Sequence, residues 1–289
     1  MPVRHAALHD ETLLLNRRYT MMATMLELGR RAGRDVRRMA WTVGALAAPA
    51  LVGAQSASVA AVANVPLSSL ATRPFKPGEK LTYDVRFGSL KVGTGSMEVR
   101  GVENVRGEPA YHTVFRVKGG TAFFKVDDQF ESWFSAASLS SLRFYKDQEE
   151  GFKERTVRYD IFPDRSSYDE LTDDQGELPS VNNPLDDGSF LYFIRTVPLQ
   201  LGQTYTFDRY FKPDRNPVTV KVLRKERVTV PAGTFDAIVV QPIIKSKGIF
   251  SEGGQAEVWL SDDDRRIVLQ MKSQLKIGSL NLFLTSASK

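Results

Sequence analysis

The fold of this chain is decided by residues 267–277, which read Ile-Val-Leu-Gln-Met-Lys-Ser-Gln-Leu-Lys-Ile. Apolar or small side chains occupy one set of alternate positions, namely Ile267, Leu269, Met271, Ser273, Leu275 and Ile277. Polar side chains occupy the other set, namely Gln270, Lys272, Gln274 and Lys276. A repeat of two residues predicts a β-strand with one buried face and one face in water.

The same alternation recurs along most of the chain after residue 80. It is found at 81–87, 111–117, 157–161, 205–207 and 218–222. Glycine and proline turn signals separate these segments at short spacing, among them Pro77-Gly78, Arg106-Gly107, Gly119-Gly120 and Pro231-Ala232-Gly233. The pattern predicts a mainly β protein with one antiparallel sheet, either closed as a barrel or curled as a half-barrel.

Only one helix is predicted in this β-rich region, at about 187–197. Asp186 or Asp187 can cap its N-terminus, and Pro198 ends it. Its apolar residues recur at helical spacing, namely Phe190, Leu191, Phe193, Ile194 and Val197. We expect this helix to act as a plug or lid packed on the sheet.

The excess of basic over acidic residues in the whole chain comes mainly from its first 54 residues. The net charge is +5, and residues 1–54 contain eight arginines, no lysine and four acidic residues. The remainder is therefore nearly neutral, which argues against nucleic acid as a partner.

Residues 1–54 have the composition of an export leader with an N-terminal signal helix. The basic segment 30–38 precedes the uncharged apolar run 39–54, and the small residues Val52, Gly53 and Ala54 form a cleavage site after Ala54. The run is too short for a stable membrane span, so we expect cleavage and a protein of the periplasm that is not integral to the membrane. The chain contains no cysteine, which excludes disulfides and a lipid-modified N-terminal cysteine.

The predicted organisation is a leader at 1–54, a linker at 55–73 rich in serine, alanine and valine, and a single β-rich domain at 74–289. The segment 163–187 has few large apolar residues and is either a hinge between two parts of the sheet or a long loop.

Five phrases within this domain resemble, in their order and spacing, a bacterial family known as domain of unknown function 3108. The phrases are FKPGEKLTY at 75–83, SFLYFIR at 189–195, VPAGTF at 230–235, AEVWLS at 256–261 and IGSL at 277–280. The resemblance covers about 74–285 and implies an exported, mainly β protein. It implies no catalytic residue, and its architecture is similar to the curled sheets of periplasmic lipoprotein and lipid carriers.

The residues that catalysis would use are sparse. His112 lies in a strand on the face opposite Tyr111, and no nucleophile elbow accompanies it. The run 262–264 is acidic but fits a hairpin turn better than a calcium loop. Nothing in the sequence pairs Glu131 with Glu257. We therefore predict no metal, no cofactor and a non-enzymatic protein.

The prediction for function is binding of an apolar or amphipathic molecule of the cell envelope, such as a lipid. An adaptor that pairs with an envelope protein is the alternative, and a carboxylate-dependent glycan hydrolase is a weaker one. The residues predicted to bind the ligand are aromatic or basic, namely Phe124, Trp133, Tyr192, Arg195, Arg209 and Tyr210.

Overall fold

Fourteen strands and one short helix form the described part of the protein in a computed structural model. That part comprises residues 73–121, 124–150, 153–172, 176–245, 256–274 and 279–288. The predicted leader, the cleavage site at Ala54 and almost all of the linker lie outside it, as do Leu275 and Ile277.

The elements follow one another along the chain with mostly short connections. They are β1 (Lys80–Phe87), β2 (Leu90–Val105), β3 (Glu108–Thr121), β4 (Phe124–Ser135), β5 (Ser141–Glu150), β6 (Lys153–Phe162), β7 (Ser167–Glu170), β8 (Leu178–Pro179), α1 (Asp187–Phe193), β9 (Thr204–Phe207), β10 (Val218–Val230), β11 (Gly233–Ile243), β12 (Glu257–Ser261), β13 (Val268–Gln274) and β14 (Ser279–Ser288).

All fourteen strands belong to one sheet in the order β8-β7-β6-β5-β4-β3-β2-β1-β14-β13-β12-β11-β10-β9. Each pairing is antiparallel, and β1 joins the two halves by pairing with both β2 and β14. The antiparallel β fold predicted from the alternation is therefore confirmed. The sheet keeps two edge strands, β8 and β9, so the closed-barrel alternative is wrong.

The segments next to these two edges contact each other. Leu185 donates its backbone N–H to the Arg209 carbonyl (2.5 Å), and its own carbonyl accepts the N–H of Phe211 (2.9 Å). Ser180 Oγ also donates to the Phe211 carbonyl at 2.7 Å. We call this contact between 180–185 and 209–211 the seam. The sheet therefore curls until its edge regions meet through connecting segments rather than through paired strands.

Alternate residues of the strands form the core on one face, which we call the inner face. In β1, Leu81, Tyr83 and Val85 are buried while the residues between them are partly exposed. Tyr83 donates its hydroxyl to the Val268 carbonyl at 3.0 Å, which links β1 to β13 across the core. Burial of these apolar side chains supplies the main favourable term for folding.

The helix α1 lies on the inner face and is buried from Gly188 to Phe193. Asp186 caps it, because its side chain accepts the N–H groups of Gly188 and Ser189 (both 2.8 Å). A 3₁₀ turn, Ile194–Thr196, extends the helix toward Pro198. The predicted single helix at about 187–197 is therefore confirmed, and its surroundings are those of a plug.

Strand β13 differs from its sequence pattern at one position of the outer face. Lys272 is exposed as predicted, but Gln270 is buried, although the alternation placed both in water. Gln270 is paired with Trp259 on one side and with Phe283 on the other, and these large rings cover it. Cross-strand neighbours are not visible in a single strand's alternation, which explains the difference.

Strands β2 and β3 approach each other closely at a pair of glycines. Gly93 and Gly119 are partners in the register. A Cβ added to Gly119 would lie 2.3 Å from the Val92 carbonyl oxygen and 2.6 Å from the Gly93 Cα. Both contacts are with backbone atoms, which cannot move aside, so only glycine fits at this crossing.

We predict that Gly119→Ala lowers the free energy of unfolding by about 3 kcal/mol, because the added methyl group forces the two strands apart. Gly101, which lies in the partner strand β2, is the matched control, since a Cβ added there would meet nothing within 4 Å. Gly101→Ala should change stability by less than about 0.5 kcal/mol. Urea denaturation of both variants measures the difference, and equal stabilities would contradict the close approach of the two backbones.

Candidate ligand-binding site

The outer face of strands β4, β5 and β6 carries aromatic rings and arginines where water-exposed strands usually carry small polar residues. These side chains border a groove of about 380 Å³. Its lining residues are Glu131, Trp133, Arg143, Tyr145, Arg158 and Leu171. We call this feature the outer groove. Tryptophan, tyrosine and arginine are enriched at sites where proteins bind other proteins.

Trp133 forms the floor at one end of the outer groove, and three contacts fix its ring. The ring stacks on the His112 imidazole with a centroid distance of 4.2 Å and an interplanar angle of 13°. Its Nε1–H donates to Glu103 Oε2 at 2.8 Å. It also packs against a small apolar cluster separate from the main core, formed by Val105, Ala110 and Leu142. The indole is therefore held in place before any ligand binds.

His112 lies between two carboxylates beneath this ring. Its Nδ1 is 2.7 Å from Glu103 Oε1, and its Nε2 is 2.7 Å from Glu131 Oε2. Gln129 donates to the other oxygen of Glu131 at 2.6 Å. The hydrogen bond from Trp133, together with His112 and Arg100, holds the pKa of Glu103 below its usual value. This carboxyl is therefore ionised at neutral pH.

Two arginines lie near the aromatic rings of the groove. The Arg143 guanidinium carbon is 5.9 Å from the Trp133 ring centroid, and Arg143 Nε donates to Asp160 at 2.8 Å. The Arg158 guanidinium carbon is 5.4 Å from the Tyr145 ring centroid. Arg158 is exposed and has no acidic partner among the described residues. Its N–H groups can therefore bind a carboxylate, phosphate or sulfonate in a bidentate manner.

The structure places two of the predicted ligand residues, Tyr192 and Arg195, inside the protein at the end of α1. The Arg195 side chain is 0% exposed and forms a bidentate pair with Glu79, at 2.6 Å and 3.0 Å. Its Nη2 also donates to the carbonyls of Pro74 (2.8 Å) and Arg265 (3.0 Å). Tyr192 is buried, and this environment raises its pKa above the usual value.

Two further predicted residues, Arg209 and Tyr210, lie at the seam. Arg209 Nε donates to the Asn183 carbonyl at 2.6 Å, and desolvation lowers the pKa of Arg209 to about 10. The buried Tyr210 hydroxyl donates to Asp187 at 2.9 Å. Phe124 begins β4, but its side chain lies outside the described residues. The five predicted residues whose side chains are described are thus not brought together, and among them only Trp133 lies in the outer groove.

Four residues of the groove, Arg143, Tyr145, Arg158 and Leu171, were not predicted from the sequence. The first three occupy outward positions of the alternation. The sequence signal among them is the aromatic side chain of Tyr145, because an outward position does not need an aromatic side chain to build a core. No local pattern identifies Leu171, which follows β7 and reaches the groove only through the register of β6 with β7.

The carboxylates considered for hydrolysis have separate partners. Glu131 contacts His112, whereas Glu257 accepts from Arg224 at 2.8 Å. Their strands, β4 and β12, are far apart in the sheet order. In the acidic run, Asp263 accepts from Ser261 Oγ and from the N–H groups of Arg265 and Arg266, so it closes the β12–β13 turn.

A second polar cluster lies on the inner face around Asp186, which is fully buried. Ser132 Oγ donates to Asp186 Oδ2 at 2.6 Å, and Ser141 Oγ and Ser189 Oγ lie 2.8 Å apart beside it. Burial raises the pKa of Asp186 to about 6, and these hydrogen bonds offset only part of that rise. The partners of this carboxylate are hydroxyl and backbone N–H groups, so its role is to cap α1 and hold the helix on the sheet.

Comparison with known proteins shows the family of this chain. The family model described as a protein of unknown function, DUF3108, matches residues 82–285, and the chain belongs to that family. The resemblance inferred from the five phrases is thereby confirmed. No curated protein matches the chain.

Solved structures with a similar fold are distant in sequence. A β-barrel-like protein of domain of unknown function DUF1849 from Brucella abortus is 12% identical, with a TM-score of 0.46, over 74% of this chain and 98% of that one. A protein from Parabacteroides distasonis that is described as a lipoprotein is 13% identical to this chain, with a TM-score of 0.33. The match covers 75% of this chain and 99% of that one. A protein from Bacteroides fragilis that is described as exported, with a YmcC-like fold, is 13% identical to this chain, with a TM-score of 0.27. The match covers 74% of this chain and 99% of that one.

We predict that Arg195→Met lowers the free energy of unfolding by about 3–5 kcal/mol, because it leaves the Glu79 carboxylate buried without its counter-ion. The double variant Glu79→Gln/Arg195→Met removes that charge and should be about 2 kcal/mol more stable than Arg195→Met alone. Urea denaturation of the wild type, both single variants and the double variant measures the coupling. Strictly additive losses would contradict a buried ion pair.

We predict a pH-dependent loss of stability from Asp186. Its folded pKa of about 6 exceeds the unfolded value near 3.8, so the folded state binds the extra proton and stability falls as pH rises between these values. The stabilisation of the folded state by this proton is present below about pH 4 and lost above about pH 6. It amounts to about 3 kcal/mol of unfolding free energy.

Asp186→Asn keeps the cap but removes the titration. The difference in unfolding free energy between this variant and the wild type should therefore change by about 3 kcal/mol from about pH 4 to about pH 7, in favour of the variant at the higher pH. Urea denaturation at several pH values measures this difference. A difference that is constant with pH would show that Asp186 has no raised pKa.

Proposed function

We propose that this protein is an exported, non-enzymatic binding protein of the cell envelope, and that its outer groove takes an amphipathic molecule with an anionic group. The observation that supports this most directly is the combination, in one groove, of a fixed indole, an exposed leucine and a guanidinium without an acidic partner among the described residues. An apolar surface next to an available cation matches the two ends of an anionic amphiphile.

The apolar end of such a ligand would contact Trp133, Tyr145 and Leu171. Leu171 is 50% exposed, although an apolar side chain of this size gains free energy when it leaves water. The rings of Trp133 and Tyr145 offer flat surfaces of large area, and both are held by neighbouring charged groups rather than free to rotate into the sheet. A short alkyl chain laid across these three residues would bury all of them further.

The anionic end would bind Arg158. The Arg158 guanidinium lies near the Tyr145 ring, and its N–H groups are available to planar or tetrahedral anions. Arg143, whose Nε is committed to Asp160, adds positive charge at the same groove. Glu131 lines the same groove as these arginines, so its charge would weaken anion binding unless it is neutralised by His112.

The inner face is a poor location for the ligand. The helix α1 already packs on that face, and its residues from Gly188 to Phe193 are buried. A lipid held on the inner face would have to displace the helix together with the Arg195–Glu79 pair. This obstacle favours the outer face over the inner face for the predicted binding function.

Export is part of the proposal and rests on residues 1–54. The basic segment followed by an apolar run favours transfer to the periplasm with cleavage after Ala54. Along the part of the chain that the structure describes, no helix is long and apolar enough to cross a membrane. Mass spectrometry of the protein exported from its own type of cell tests the cleavage, and a mature chain beginning elsewhere than Gln55 would contradict it.

We predict that Leu171→Ser weakens binding of decanesulfonate about fivefold, because it removes apolar contact area from the groove. Decanesulfonate carries a short alkyl chain and an anion that does not titrate. Leu201 is the matched control, since it is 59% exposed and does not line the groove. Isothermal titration calorimetry below the micelle concentration measures both variants, and Leu201→Ser should bind as the wild type does.

We predict that Arg158→Gln weakens decanesulfonate binding about tenfold or more, since it removes a charge-assisted bond. Arg227, an exposed arginine of β10, provides the control variant Arg227→Gln. Decyltrimethylammonium, with the same chain and opposite charge, should bind the wild type far more weakly. If decanesulfonate fails to bind, or binds equally to all variants, the proposal is wrong; a stoichiometric protein crosslinked at Tyr145 would then favour the adaptor.

A further inference from the structure

The two hydrogen bonds that join Glu103, His112 and Glu131 require one proton more than a neutral imidazole between two ionised carboxylates would hold. Both imidazole nitrogens lie 2.7 Å from carboxylate oxygens. An ionised carboxylate only accepts hydrogen bonds, whereas a neutral imidazole donates from one nitrogen only. Two such bonds at this distance therefore require a doubly protonated ring, or a neutral ring next to a protonated carboxyl. In either form the unit has a net charge of −1 rather than −2.

The charged and polar groups that face His112 come from three strands. Strand β2 contributes Glu103, which has Arg100 near it. Strand β4 contributes Glu131 with its partner Gln129, and also the stacked Trp133. Strand β5 contributes Arg143, on Trp133. The two glutamates are the direct partners of the ring, so they are the groups that respond when the proton leaves.

Loss of the proton breaks one of the two bonds, and the exposure of the partners decides which one. The Glu103 side chain is 52% exposed, whereas that of Glu131 is 14% exposed. Glu103 can turn into water at little cost, while Glu131 is held by Gln129 and has less access to solvent. Glu103 also accepts the Trp133 indole N–H, so its departure would release the ring that forms the floor of the groove.

We infer that this shared proton controls the outer groove: when it is bound, Trp133 is fixed and anions bind well, and when it leaves, Trp133 is released and anion binding weakens. The second effect is electrostatic, because Glu131 lines the groove and its charge is no longer neutralised by His112. The inference rests on the proposed function for its ligand, but the movement of Trp133 does not depend on any ligand.

The first experiment follows Trp133 without ligand. A protonated imidazole stacked on an indole quenches its fluorescence, so emission should rise in one transition as pH is raised through the range in which the protein stays folded. Trp133→Phe should abolish the transition, and Trp259→Phe should retain it. His112→Gln should also abolish it, because glutamine does not titrate. If emission shows no transition in this range, or keeps it in His112→Gln, the inference is wrong.

The second experiment measures decanesulfonate affinity at one pH below and one pH above the fluorescence transition, where the sulfonate itself stays ionised. The wild type should bind at least about fivefold more tightly at the lower pH, and His112→Gln should bind equally at both. Binding that is independent of pH in the wild type would overturn control by the proton while leaving the proposed function intact. A fluorescence transition without binding at either pH would overturn the proposed function and show that the proton moves Trp133 alone.

Discussion

The buried ion pair between Arg195 and Glu79 holds together parts of the chain that are distant in sequence. Arg195 ends the helical segment, Glu79 precedes β1, and the same guanidinium binds the carbonyls of Pro74 and Arg265. Two charges removed from water are tolerated only when each finds partners in the interior, so the segment before β1, the end of α1 and the β12–β13 turn must come together. The aromatic rings of Phe75 and Tyr192, 5.0 Å apart, pack beside the pair.

The position of α1 follows from this constraint, and it decides which face of the sheet is available. A curled sheet of fourteen antiparallel strands could leave its inner face open to a ligand, but here the helix covers that face and Asp186 ties it to β4 through Ser132. The outer face carries the groove that we propose as the binding site. On that face a hydrogen-bonded chain from Gln129 through Glu131, His112 and Glu103 reaches the Trp133 indole, so the groove and its titratable groups form one connected structure.

Much of the fold was predictable because alternation and helical spacing reflect local geometry. The strands around Leu81 and Met271 and the helix after Asp186 lie where these patterns predict them. The prediction failed at Gln270, since its burial depends on rings from neighbouring strands. For the site, Trp133 was identified as an aromatic residue in a strand, but its partner Glu103 lies 30 residues away and joins it only through strand pairing.

The sequence by itself determined the β class, the antiparallel topology, the single helix and the family, because each depends on periodicity or on the order of short phrases. Tertiary structure alone decided that the sheet stays open, that Arg195 pairs with Glu79 instead of facing a ligand, and that His112 lies between two glutamates. These features require residues that are separated along the chain to meet in space. Strand register and helix docking determine such contacts, and neither has a signature within one segment.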